Sequence, residues 1–248
     1  MPINSSGKIS FTDIAAEHGG QKPYSASAYL RGGALVTGTP AANAEIPTTN
    51  SDIQFSDYYG SKSTIQITYE IQGGGGAGGG GYNDRGDNSG TANNGGDSSI
   101  TYGVTTITAT GGGGGEHGGN GRDQPGTDGE DSHYGDGGAG GARNTAGSSA
   151  AASSYGAGGG GGGGDDDSYN DRSGAAGTGG FAGQRVTGTA EVENGTSITY
   201  MVGAKGAGGA GTPGNYVGGS GASGYIKITK EGNVDIVDGT DSGSVTLT

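Results

Sequence analysis

Unbroken glycine runs at 73–76, 78–81, 111–115 and 158–164 constrain this chain more than any other feature. Glycine has no side chain to bury and loses more backbone freedom on ordering than any other residue. Between Gly73 and Gly224, 54 of 152 residues are glycine, so a conventional side-chain core is not available there. Such a stretch either stays a flexible linker or packs main chain directly against main chain. Recurring strand-like hexapeptides, glycine blocks of similar length and polar inserts at intervals favour packing, because a linker needs none of them.

The runs show no collagen-type Gly-x-y period and little proline, which excludes a collagen triple helix. Left-handed polyglycine II helices, with three residues per turn and hydrogen bonds to neighbours, fit instead. The run 73–81 would extend roughly 28 Å at ~3.1 Å per residue. Ordering costs on the order of 1–2 kcal/mol per residue, so the helices need a cooperative bundle pinned at its ends.

Strands are available to pin it. Ser63–Ile71 alternates strictly, as a half-buried strand does. Ser99–Val104 and Ser197–Val202 share a Ser-Ile-Thr-Tyr core, Gly224–Lys230 supplies a further strand, and Arg185–Val192 a fifth. Ile65, Ile67, Ile100, Val104, Ile107, Ile198, Val202, Ile226 and Ile228 are the apolar residues on offer. The expected fold is mainly β and irregular: a small N-terminal module with short helices, then a β-framed bundle of polyglycine II helices. The expected boundaries are 1–62, 63–230 and a segment 231–248 that forms a hairpin around Asp-Gly or an acidic tail.

Residues 1–62 read as a short strand at Ile9 and Phe11, a helical turn from Asp13 to His18 closed in a left-handed conformation by Gly19, and a second short helix in SASAYLRGG. Ile9-Ser-Phe-Thr-Asp13 and Ile53-Gln-Phe-Ser-Asp57 repeat one hook. So small a module gains from docking on another protein. Ile9, Phe11, Asp13, Tyr29, Ile53, Phe55, Asp57 and Tyr58 are the candidate contacts.

Net charge is −13, from 12 basic and 25 acidic residues. No basic footprint exists to neutralise phosphates, which disfavours nucleic acid and anionic membrane surfaces. Cysteine is absent, so disulfides and thiolate metal sites are excluded. Neither a signal-type apolar stretch nor a membrane-spanning window occurs, and no membrane insertion is expected.

Polar inserts at 82–99, 116–136, 165–174 and 212–217 separate the runs, as loops at the tips of rods would. Tyr-Asn-Asp-Arg occurs twice, as Tyr82, Asn83, Asp84, Arg85 and as Tyr169, Asn170, Asp171, Arg172. A stacking face with directional polar groups suits sugars or polar protein loops. Turn-capping Asn and Asp would give the same residues. Tyr134 and Tyr216 complete the candidate receptor-binding set.

Arg85-Gly86-Asp87 is a chance product of composition. Gly118–Asp123 begins a calcium nonapeptide but lacks its apolar residue and a tandem copy. Asp128, Glu130, Asp131 and the run 165–167 read as solvated acids, and no metal or other cofactor is expected. His18, His117 and His133 have no ligand spacing, and neither a nucleophile elbow nor a P-loop is present. The expectation is a protein that is not an enzyme.

Glycine runs, SITY-type strands, GAKGAGGAG at 203–211 and GASGYIKI at 221–228 resemble the glycine-rich domains of bacteriophage tail-fibre and tail-tip proteins, the distal adhesins of T-even-like phages above all. GKISFTDIAAEHGG, YSASAYLRGG and IPTTNSDIQFSDYYG are similar to a segment of phage structural proteins, and not to the fibre-docking domain of those adhesins. The resemblance implies a virion protein on the exposed tail or fibre, held through residues 1–62 to other virion proteins. Its tip loops would bind a host surface glycan or outer-membrane protein. The alternative is a structural component, a capsid decoration or tail protein without a receptor. An ice-binding protein needs spaced Thr or Ala on one face, and a depolymerase needs a catalytic pair.

Overall fold

The computed structural model describes residues 3, 6–36, 43–49, 53–81, 90, 92–118, 125–143, 145–164, 176–211, 216–231 and 233–248. Alternating β-branched residues form eight strands: β1 (Thr64–Gln72), β2 (Ser98–Tyr102), β3 (Thr105–Ala109), β4 (Arg185–Glu193), β5 (Ser197–Met201), β6 (Tyr225–Lys230), β7 (Val234–Gly239) and β8 (Gly243–Thr246). They pair antiparallel in two four-stranded sheets, ordered β4-β1-β6-β7 and β3-β2-β5-β8. Ile67, Ile71, Ile226 and Ile228 of the first sheet share one core with Ile100 and Ile198 of the second. The fold is mainly β, as the sequence predicts. The terminal hairpin does not form: β7 extends the first sheet beside β6, while β8 pairs with β5 in the second.

Beyond the strands the chain runs as ten extended rods: I (73–81), II (90 and 92–97), III (110–118), IV (125–131), V (136–143), VI (145–151), VII (156–164), VIII (176–184), IX (202–211) and X (216–224). Rods I, III and IX continue from β1, β3 and β5; rods II, VIII and X lead into β2, β4 and β6. Gly156 has φ 77°, and the other described rod glycines keep negative φ, the left-handed polyglycine sense.

Hydrogen bonds fix how the rods pack. In rod I the N–H groups of residues 73, 76 and 79 donate to Gln184, Phe181 and Thr178 of rod VIII. Those of 74 and 77 reach Gly96 and Asn93 of rod II, and those of 75, 78 and 81 reach Ala222, Gly219 and Tyr216 of rod X, all at 2.8–3.1 Å. Its carbonyls accept from rods III, VII and IX. Three residues per turn thus give rod I six neighbours. Rod VII repeats the pattern, donating to I, IV and VI and accepting from V, VIII and X. The ten rods stack in three layers, III–VIII–IV, II–I–VII–V and IX–X–VI. Rods I and VII are buried along their whole length. This is the main-chain core that the glycine runs predict.

Rods IV to VII have no strand to continue into. Their turns at 132–135 and 152–155 are held by a tyrosine cluster instead. Tyr155 stacks on Tyr225 of β6 with ring centroids 4.7 Å apart at 9°, and Tyr134 meets Tyr225 edge-on at 5.0 Å and Tyr155 at 5.3 Å.

The N-terminal module has its own core of Ile3, Ile14, Tyr29, Val36, Ile46 and Tyr58. The repeated hook proves to be a helix start in both copies, not a strand. Helix α1 spans Phe11–His18 and a 3-10 turn spans Phe55–Tyr58; Asp13 and Asp57 accept from the backbone N–H of Ser10 and Gln54, both at 2.7 Å, closing capping boxes. Gly19 closes the helix at a positive φ of 82°, a conformation that favours glycine, but its ψ of −175° takes it out of the left-handed helical well. A second 3-10 turn covers Ala26–Tyr29. The module joins the sheet end away from the rods: Lys62 pairs with Glu193 at 2.7 Å, and the Ser63 N–H donates to Glu17 at 2.8 Å.

Candidate functional site

Because rods alternate in direction, the described residues flanking 82–89, 119–124, 165–175 and 212–215 all come to one end of the bundle. Gly81 donates to Tyr216, Gly118 to Gly80, Gly90 to Ala210, Gly177 to Gly162 and Gly126 to Gly141. That end lies opposite the sheets, and the N-terminal module lies beyond the sheets. Of the candidate receptor residues, Tyr82, Asn83, Asp84, Arg85, Tyr169, Asn170, Asp171 and Arg172 lie outside the described residues. Tyr216 is at the sheet-distal end, half-buried, with its carbonyl fixed by Gly81.

Tyr134 is not there. The insert 116–136 divides into the end of rod III, rod IV and a turn beside the sheets, and this carries Tyr134 to the far end of the bundle. Its ring is committed to Tyr155 and Tyr225, and burial, then the neighbouring Glu70 carboxylate, push its hydroxyl above the ordinary tyrosine range. Residues 92–97 of the first insert likewise form rod II, and Ser98 and Ser99 belong to β2.

The docking candidates also divide. Tyr29 and Tyr58 are each 1% exposed and form the module core, which removes them as contacts. Tyr58 donates to the Tyr29 carbonyl at 2.8 Å, and burial, followed by Asp57 and Tyr29, pushes its pKa up to about 12. Asp13 and Asp57 serve the capping boxes. The Ser10 hydroxyl and then its N–H hold the Asp13 carboxyl below its ordinary value. Ile9 and Ile53 pack half-buried on the core. Phe11 and Phe55 meet edge-on at 5.0 Å and Tyr24 stacks on Phe11 at 5.7 Å; with Phe55 46% exposed, these three rings form the aromatic patch of the module.

Polar side chains along the rods, most of them acidic, have structural work to do. Asp97 and Asn94 of rod II accept from the N–H groups of Gly111 and Gly114 of rod III; Asp128 and Asp131 of rod IV accept from Gly140 and Gly137 of rod V, all at 2.7–2.8 Å. Thr127 and Glu130 do the same for Gly179 and Ala182. Each pair is three residues apart, one turn of the rod, so the side chains strap successive turns of a neighbour. Outer rods, which have fewer than six neighbours, thereby satisfy N–H groups that point to no rod main chain. This i, i+3 pattern is the signal by which sequence reading could have found them. Among the described residues no group of His, Asp and Glu is set to hold a metal ion, and no helix is long and apolar enough to cross a membrane.

No family model, curated protein or solved structure matches the chain.

Proposed function

We propose that this chain is a non-enzymatic adhesin of a bacteriophage virion, exposed on the tail or fibre, that recognises a host surface glycan or outer-membrane protein. The observation that supports this reading is the polarity of the molecule. Four polar inserts, two of them carrying Tyr-Asn-Asp-Arg, are separated by rods whose ends meet at one pole. A compact module with an aromatic patch occupies the other. A scaffold rigid along its length holds contact residues at fixed spacing, which lowers the ordering cost of binding.

In this reading Tyr82–Arg85, Tyr169–Arg172 and Tyr216 provide the receptor contacts, and Phe11 and Phe55 provide the attachment to other virion proteins. Several copies on one particle would raise weak single-site affinity through effective concentration.

Purified protein should compete with phage for host cells. Full-length chain added in excess is expected to block adsorption. Tyr82→Ala combined with Tyr169→Ala is expected to lose that block while keeping the wild-type melting curve. A folded wild-type protein that leaves adsorption unchanged would instead favour a structural virion component without a receptor.

A further inference from the structure

A groove of about 440 Å³ runs over rod X on the IX–X–VI face, close to the sheets and away from the distal pole. Rod IX contributes Lys205, rod X contributes Ala222 and Ser223, the 152–155 turn contributes Ser153 and Tyr155, and the β7–β8 link contributes Thr240. Among the described residues no acidic side chain lines it, in a chain whose net charge is −13. Lys205 is held by no described residue. By contrast Arg185 is tied to Glu70, Lys227 to Asp235 and Lys230 to the Thr248 carbonyl. The opposite face has the reverse chemistry: Glu116, Asp128 and Glu130 surround an exposed Phe181, and would repel an anion.

An uncompensated ammonium favours a carboxylate, and the hydroxyls of Ser153, Ser223 and Thr240 can both donate to and accept from ring hydroxyls. Tyr155 adds a ring already fixed by its stack on Tyr225, the kind of rigid amphipathic surface that sugars pack against. We propose that this groove binds a carboxylate-bearing sugar, a uronic acid unit of an acidic polysaccharide. The Lys205 ammonium receives the carboxylate, and the three hydroxyls bond the ring. The site is separate from the distal pole and does not depend on the receptor reading.

Isotope-labelled full-length protein titrated with glucuronic acid, glucose and inorganic phosphate tests this, read at the amide resonances of Gly221, Ala222 and Ser223. Glucuronic acid is expected to give saturable shifts with a Kd of about 1–10 mM, and glucose to bind about tenfold more weakly or worse. Lys205→Gln is expected to abolish the glucuronic acid response without altering thermal unfolding, because Lys205 is exposed. Equal responses to glucose, unchanged binding by Lys205→Gln, or no saturable shift would overturn the proposal. Phosphate matching glucuronic acid would reduce the groove to a plain anion site and overturn the sugar assignment.

Discussion

A single methyl group is more than the centre of this lattice can absorb at most positions. A Cβ built on Gly160 would come within 3.0 Å of the Ala139 carbonyl, and one on Gly162 equally close to the Tyr216 carbonyl. Those atoms belong to main chain held on several sides and cannot retreat. Gly160→Val and Gly162→Val should each cost on the order of 3 kcal/mol or more, seen as loss of cooperative thermal unfolding. Ala207→Val, at an exposed position of rod IX, should stay within about 1 kcal/mol of wild type. A double mutant at 160 and 162 that melts like wild type would refute the main-chain core.

A second residue-scale effect is set by pH. His18 is buried at the junction of module and sheets, with Nε2 2.9 Å from Ser61 Oγ. Burial lowers its pKa below 6.5, against a smaller opposing effect of Glu17. The unfolded chain therefore takes up this proton at a higher pH than the folded one. The His18 contribution is complete above pH 6.5 and declines as pH falls from there towards the folded pKa. Melting temperatures measured between pH 8 and pH 5 should fall more steeply for wild type than for His18→Gln; parallel curves would remove His18 as the cause.

At the scale of elements, a rod is specified by where its glycines fall. Rods I and VII, surrounded on all sides, are almost pure glycine. An outer rod keeps glycine every third residue on its inner edge, at 112, 115 and 118 in rod III, 177, 180 and 183 in rod VIII, and 203, 206 and 209 in rod IX, and again where it touches a lateral neighbour, as at 111, 114, 179 and 208. Most strands and the two pure rods were legible from alternation and from unbroken runs. Strand β3 was not, because the chain turns at residues 103–104, which ends β2 early and leaves Val104, offered as a core residue, fully exposed. Rods II and VI were not legible either, because their three-residue period lasts only two turns and its phase resets at every connection. Across the whole chain the period averages away, so a search for Gly-x-y finds nothing. The placement of Tyr134 was lost for the same reason, since rod IV was hidden inside a polar insert. The hook Ile-x-Phe-[Ser/Thr]-Asp was visible as a repeat, but an alternating pattern two residues long does not separate a strand from a capped helix start.

The straps and the tyrosine clamp make element-scale predictions. Asp128→Ala with Asp131→Ala removes two acceptors from rod V and should cost about 1 kcal/mol for each bond, with faster amide exchange at Gly137 and Gly140. Tyr155→Ala should release the turns of rods IV to VII from β6 and cost about 3 kcal/mol. Exchange should then rise across 125–164 more than in β1 and β2. A uniform rise across both regions would show that the clamp does not act locally.

For the whole molecule, the order is module, paired sheets, rods, distal pole along one axis. Module and bundle meet through Lys62–Glu193 and Glu17–Ser63, while the Phe11–Tyr24–Phe55 patch lies at the module surface, with Phe11 and Tyr24 packed against its core and Phe55 46% exposed. Phe55→Ser should change stability by no more than about 1 kcal/mol yet reduce incorporation of the chain into particles, measured by immunoblot of purified virions. Competition by the free protein for host cells should be unaffected by the same substitution. Normal incorporation would take the aromatic patch out of virion assembly.

Three residues per turn also decide where such a gene can gain or lose codons. One extra residue after Gly203 would rotate the remainder of rod IX by about a third of a turn, bringing Lys205 to the place where Gly206 now donates to Gly75. Insertions inside rods should therefore survive only as triplets of residues. Between residues 82 and 89, or 165 and 175, any length keeps both flanking rods in phase, so variation in length is steered towards the distal pole, the face to which the proposed function assigns receptor contact.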